Sequence, residues 1–171
     1  VHVVATAGHV DHGKSTLVRA LTGADPDRLA EEKRRGLTIE LGYAWMDLPG
    51  TGEVAFVDVP GHERFVSTML AGVGPVPVAV LVVAADDPWM PQTAEHLAVL
   101  DALGVRHGLL VVSRADLADP APALARAHEE LARTGLAGAP HVVTRAGDEA
   151  GVSALRQEVG AALARVLAGV P

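Results

Sequence analysis

The chain has 171 residues, enough for one well-buried domain and few for two, and it is 49% apolar but only 3% aromatic. A formal charge of -7 disfavours broad electrostatic adhesion to nucleic acid, and so few aromatic rings leave little platform for stacking on single strands. Cysteine is absent, so disulfides and thiolate metal sites are excluded; no apolar run reaches the roughly 18 residues of a membrane span, and a cytoplasmic protein with no membrane partner is expected.

The first apolar run, His2 to Ala7, predicts a strand, and a helix is expected from Lys14 to about Leu21. Between them Gly8-His9-Val10-Asp11-His12-Gly13-Lys14-Ser15 matches Gly-x4-Gly-Lys-Ser at every fixed position. Glycines let successive backbone N-H groups face a phosphate, and the helix directs its positive end to the same point. Lys14 supplies a compact cation for the outer phosphates, and the Ser15 hydroxyl can join the shell of a bridging Mg2+. Lys14 and Lys33 are the only lysines among fourteen basic residues, so Lys14 resists an otherwise arginine-favouring composition. A guanidinium is too bulky for the mouth of such a loop.

A long polar segment follows from Thr22 to Thr38, carrying Asp25-Pro26-Asp27 and Glu31-Glu32-Lys33-Arg34-Arg35. Loops of this length are functional or solvated linkers. Thr38 closes it, either as a β-branched residue at a strand start or as a hydroxyl that completes the Mg2+ shell while the terminal phosphate is bound. Glu40 to Leu48 and Glu53 to Asp58, joined by Pro49-Gly50-Thr51-Gly52, predict a hairpin and hence one antiparallel strand. Asp58-Val59-Pro60-Gly61-His62 ends that hairpin. Asp58 can hold Mg2+ through a water, Gly61 lets its N-H approach the terminal phosphate, and His62 could reach the attacking water.

A helix from about Glu63 to Ala71 leads to Val78 to Ala85, an unbroken apolar run that implies a strand buried on both faces. Pro91 opens a helix to about Leu103, and Leu109 to Val112 forms the next buried strand. That strand ends at Ser113-Arg114-Ala115-Asp116. Asp116 can accept from the N1-H and 2-amino group of guanine, a donor pair adenine lacks, or it can cap the following helix. Arg114 can lie across the purine face. A helix after Pro120 and Pro122 to about Thr134, a short strand His141 to Thr144 and a helix Val152 to Leu167 complete the set. The expected fold is a three-layer α/β/α domain over residues 1–168, with six mostly parallel strands, one antiparallel strand and five main helices. Residues 169–171 read as the start of a linker, and the isolated domain is expected to be a monomer.

Together with Arg35-Gly36-Leu37-Thr38-Ile39, Asp58-Val59-Pro60-Gly61-His62 and Met90-Pro91-Gln92-Thr93-Ala94-Glu95-His96, the phosphate loop makes the whole chain resemble the translational GTPases of the P-loop NTPase fold. Within them, Asp27 through Ala44 resembles the selenocysteine-specific elongation factors. The resemblance implies GTP and GDP as nucleotides, Mg2+ on Ser15, Thr38 and Asp58, and contacts from Val10, Asp11, His12, Gly13, Lys14, Ser15, Thr16 and Gly61. It further implies that His62 orients the hydrolytic water on the ribosome, that Val10 and Leu37 gate it, and that Asp11 can hold a monovalent cation. Selenocysteyl-tRNA and the ribosome would be partners of a full-length factor with further domains.

Two motifs depart from the family pattern. The usual Asn-Lys-x-Asp or Thr-Lys-x-Asp stands as Ser113-Arg114-Ala115-Asp116, with a serine expected to reach less far than asparagine to brace the phosphate loop. The usual Ser-Ala stands as Thr144-Arg145-Ala146, the expected contact to guanine O6. Two other readings stay open: a GTP-gated binding module whose hydrolysis is vestigial, and the GTPase domain of an initiation factor gamma subunit or a sulfate-activating enzyme, since Leu41-Gly42-Tyr43-Ala44 is shared with the former.

Overall fold

Which side of a strand a residue faces is fixed by a period of two, and here that period sorts the apolar residues into two separate cores. A computed structural model describes residues 2–9, 12–22, 43–58, 78–145 and 149–171. Along β4 (Val78–Ala84) every residue is buried; Val78, Val80 and Val82 join one core while Ala79, Leu81 and Val83 join the other. Both faces must therefore be covered, as its uninterrupted apolar run predicts.

The sheet runs β2-β3-β1-β4-β5-β6, with β1 (His2–Gly8), β2 (Tyr43–Leu48), β3 (Gly52–Asp58), β5 (His107–Ser113) and β6 (His141–Val143). Neighbours are parallel except β2 against β3, where Leu48 pairs with Gly52 across the expected tight turn. One face is covered by α1 (Lys14–Thr22) and the last helix, the other by α2 (Pro91–Ala102) and α3 (Ala121–Leu131). The last helix, α4, spans Glu149–Ala168.

Four helices stand among the described residues; the fifth expected one, at 63–71, lies outside them. α3 starts at Ala121, before Pro122 rather than after it, and two further helix ends differ from expectation. α4 begins at Glu149 rather than Val152, with an acidic residue in its first turn complementing the positive helix end despite Gly151. α3 stops at Leu131 rather than Thr134, because the Thr134 hydroxyl donates to the Leu131 carbonyl at 2.9 Å and accepts from Leu136 N-H at 3.1 Å, closing a turn. Val170, in the stretch expected as linker, packs against the α1 and α4 core. No helix among the described residues is long and apolar enough to cross a membrane.

β1 lies between β3 and β4, so the chain leaves it toward one side of the sheet for the hairpin and returns on the other side for the remaining strands. A crevice opens beyond the carboxyl ends of the strands at such a reversal. The loop after β1 and the turn after β5 both face it.

Candidate functional site

The phosphate-loop segment leaves β1 at Gly8, whose φ of 129° is open to glycine and closed to most other residues. A Cβ there would lie 2.2 Å from the Val82 carbonyl oxygen of β4. That close approach explains the first glycine of the motif by packing alone. The Gly8 N-H donates to Nδ1 of the buried His96 on α2 at 3.0 Å, so helix and loop are joined where the strand ends. His12 N-H donates to the His9 carbonyl at 3.0 Å, and Leu17 N-H to the Gly13 carbonyl at 2.9 Å, which carries the turn into α1.

Gly13 has φ 95°, and Lys14, the first residue of α1, is buried to 5% exposure. Ser15 and Thr16 are exposed at the same helix start. A lysine buried at a helix N-terminus meets the positive end of the helix dipole, an arrangement that suits an anion between them. His12 is fully buried, and its Nε2 lies 2.9 Å from Asp87 Oδ2 in the loop after β4. Burial lowers the His12 pKa from its ordinary 6.5, Asp87 opposes that shift, and His9 and Arg114 add to it. Beside a carboxylate the neutral ring donates its Nε2-H, leaving Nδ1, which has no hydrogen-bond partner among the described residues, as the lone-pair nitrogen. His9, His12 and Asp87 could also each offer one metal-ligand atom within 4.8 Å of the others. A shared ion would have to replace the His12 to Asp87 hydrogen bond.

The second half of the site is the turn after β5. Ser113 Oγ donates to the His12 carbonyl at 2.5 Å and lies 3.4 Å from the Val83 carbonyl. The shorter side chain nevertheless braces the loop, because β5 brings Ser113 within reach of the His12 carbonyl. Arg114 adopts φ 58°, a left-handed conformation unusual for a side-chain-bearing residue, and its Nη1 stands 3.5 Å from Asp86 Oδ1. Asp116 is exposed. Its N-cap alternative finds no support, since α3 starts at Ala121 after Pro120, and Asp119 rather than Asp116 accepts from the Ala121 N-H, at 3.0 Å.

Thr144 is buried behind this turn: its carbonyl accepts from Ala115 N-H at 3.1 Å, and its own N-H donates to Val112 at 2.8 Å. Arg145 is exposed. Gly13, Thr16, Ser113, Arg114, Asp116 and Thr144 line one cavity of about 220 Å³, so sequence-expected residues from three separate loops meet. Val10, Asp11, Thr38, Gly61, His62 and Ala146 lie outside the described residues, as does the side chain of Asp58 at the end of β3. The sequence reading missed Asp86, Asp87 and His96 as members of this network. Its available signal was position: Asp86-Asp87 sits at the carboxyl end of a buried strand, where ligands bind in such sheets.

Residues 1–163 match the family described as the elongation factor Tu GTP binding domain. The chain is 48% identical over 160 residues to a selenocysteine-specific elongation factor of Escherichia coli, covering 92% of this chain and 26% of that protein. It is 46% identical over 158 residues to one from Desulfomicrobium baculatum, covering 90% and 25%. A crystal structure of a bacterial selenocysteine-specific elongation factor superposes with a TM-score of 0.75 at 38% identity, over 99% of this chain and 29% of that one. The chain thus spans about a quarter of the length of the relatives it matches.

Proposed function

This chain belongs to the elongation factor Tu GTP-binding domain family, in the form found in selenocysteine-specific elongation factors, and from that premise we propose that it binds GTP and GDP and hydrolyses GTP, slowly alone and faster on the ribosome. The observation that carries this reading is the Ser113 hydrogen bond to the His12 carbonyl. It joins a loop whose residue types suit phosphates to a turn whose carboxylate suits guanine.

Lys14 and the N-H groups around Gly13 would hold the outer phosphates, flanked by Val10, His12 and Thr16. Asp116 would accept from the guanine N1-H and 2-amino group, Arg114 would cover the ring, and Thr144, Arg145 and Ala146 would close the O6 side. The positive-φ turn at Gly13, the buried Lys14 beside it and an exposed hydroxyl at Ser15 suit a phosphate-bound hard cation. Ser15, Thr38 and, through water, Asp58 would hold Mg2+, which when bound neutralises charge on the outer phosphates. Thr38 would release in the diphosphate state, Gly61 would sense the terminal phosphate, and Asp11 would take a monovalent cation. His62 would orient the attacking water.

In a full-length cytoplasmic factor the domain would gate delivery of selenocysteyl-tRNA to the ribosome, as the names of its relatives suggest. Titration with fluorescent GDP and ATP analogues tests the core of the proposal: a clear preference for GDP is expected, and comparable affinities would overturn it. His62→Ala in the full-length factor should spare GTP binding while lowering ribosome-stimulated turnover by roughly two orders of magnitude or more, read by phosphate release. Undiminished turnover would place the water-orienting group elsewhere.

A further inference from the structure

Two consecutive carboxylates beyond the end of β4 reach the two halves of the site separately. Asp87 accepts from His12 Nε2 at 2.9 Å, and Asp86 stands 3.5 Å from Arg114 Nη1. The two contacts differ in kind. His12 is fully buried with its other ring nitrogen unbonded among the described residues, so the hydrogen bond to Asp87 fixes the rotation of the imidazole. The same residue is gripped through its carbonyl by Ser113, which makes His12 a junction between the phosphate loop, the turn after β5 and the loop after β4. The Arg114 to Asp86 contact is about one-third exposed on each side, long, and open to screening by salt.

We propose that Asp86-Asp87 is a nucleotide-positioning turn in which Asp87, through His12, sets the phosphate loop, and Asp86, through Arg114, sets the cation over the base. The inference rests on the guanine-nucleotide reading above. Removing the Asp87 carboxylate leaves a buried N-H without its acceptor, and the ring must turn or admit water to recover one. Either movement displaces the main chain that faces the phosphates. Removing the Asp86 carboxylate takes away one contact of the Arg114 guanidinium and leaves the His12 contacts of the loop in place. The two neighbours should therefore separate by ligand: the first acts where phosphates are bound, the second where the base is bound.

The test is the affinity of the chain for GDP and for GMP, measured by calorimetry at fixed Mg2+ and two salt concentrations. Asp87→Ala should weaken GDP about tenfold and GMP about twofold or less, since GMP carries a single phosphate and depends less on the loop. Asp87→Asn, which keeps an acceptor oxygen for the Nε2-H, should recover most of the loss. Asp86→Ala should weaken both ligands alike, about threefold, with the difference shrinking at high salt. Equal loss of GDP and GMP in Asp87→Ala, or no loss at all, overturns the inference. A parent chain that binds neither ligand overturns the guanine-nucleotide reading instead. Should Asp87→Ala not fold, Asp87→Glu makes the same comparison, with the carboxylate kept and its oxygens displaced by one methylene.

Discussion

The phosphate loop and the turn after β5 sit at the same edge of the sheet yet are built on different principles. The loop is set by sterics and burial: Gly8 touches the β4 backbone as only glycine can, Lys14 and His12 are buried, and His96 holds the Gly8 N-H. The turn is set by polar side chains nearer the surface: Ser113 and Arg114 find partners across loops, Arg114 from a left-handed backbone, and Asp116 is exposed. The phosphate end of the cleft therefore tolerates few residue types, while the base end can exchange them as long as the hydrogen bonds close. Serine in place of asparagine and arginine in place of lysine are such exchanges.

The contrast breaks first, and most severely, at Gly8. Gly8→Ala adds a Cβ 2.2 Å from a backbone oxygen on a residue with φ 129°. A loss of roughly 3 kcal/mol or more is expected in chemical denaturation. A loss below about 1 kcal/mol would show that β1 and β4 can separate at their ends, and the loop would be less rigid than described. At the base end, Asp116→Asn should leave the denaturation midpoint nearly unchanged, because the residue is exposed. Its effect belongs to recognition: preference should pass from guanine to xanthine nucleotides by about a hundredfold, roughly 2.7 kcal/mol. Unchanged preference would deprive Asp116 of its place on the base.

The link between the halves comes next. Ser113→Ala removes the hydroxyl that reaches His12 and should cost about 1 kcal/mol of GDP affinity, some fivefold, by calorimetry. An effect on stability alone would make Ser113 part of the scaffold. The smallest expected effect is that of pH. His12 is held below its ordinary 6.5 by burial, so the folded chain binds fewer protons there than the unfolded chain. Its contribution to stability is complete above 6.5 and falls away as pH drops below that value toward the depressed folded pKa. His128, lowered by burial and by the neighbouring His141, acts in the same direction, so the comparison needs His128→Gln as background. In that background, replacing His12 with Gln should flatten the slope of the melting temperature between neutral and mildly acidic pH. A slope that persists would trace the acid sensitivity to other groups.

Much of this architecture could be read from residue order. The six strands follow from short apolar runs and the hairpin from Pro49-Gly50-Thr51-Gly52, and the buried character of β4 follows from its lack of polar residues. Local motifs marked Gly13, Thr16, Ser113, Arg114, Asp116 and Thr144, which the fold brings to one cavity. What escaped are partners chosen by topology. Nothing around Asp87 announces that it meets His12, because that contact exists only once β1 and β4 lie side by side. Likewise the reach of Ser113 depends on the distance between two strand ends, which side-chain length alone does not give. Helix ends were missed where a local hydroxyl bond or a first-turn acid outweighed intrinsic propensity, at Thr134 and Glu149.

In chain order β1 precedes the other five strands of the described sheet, yet it occupies an interior place, pairing from Val4 with both Phe56 and Val78. Until β4 has emerged, β1 can be paired on the β3 side only, and Gly8, where the phosphate loop begins, has no β4 backbone to lie against. Assembly thus waits on contacts between distant parts of the chain, the kind that slows folding and leaves unpaired strand edges exposed meanwhile. Nucleotide binding becomes available late in that sequence of events, and a nascent chain paused before residue 84 is the species that would most need shielding from its neighbours.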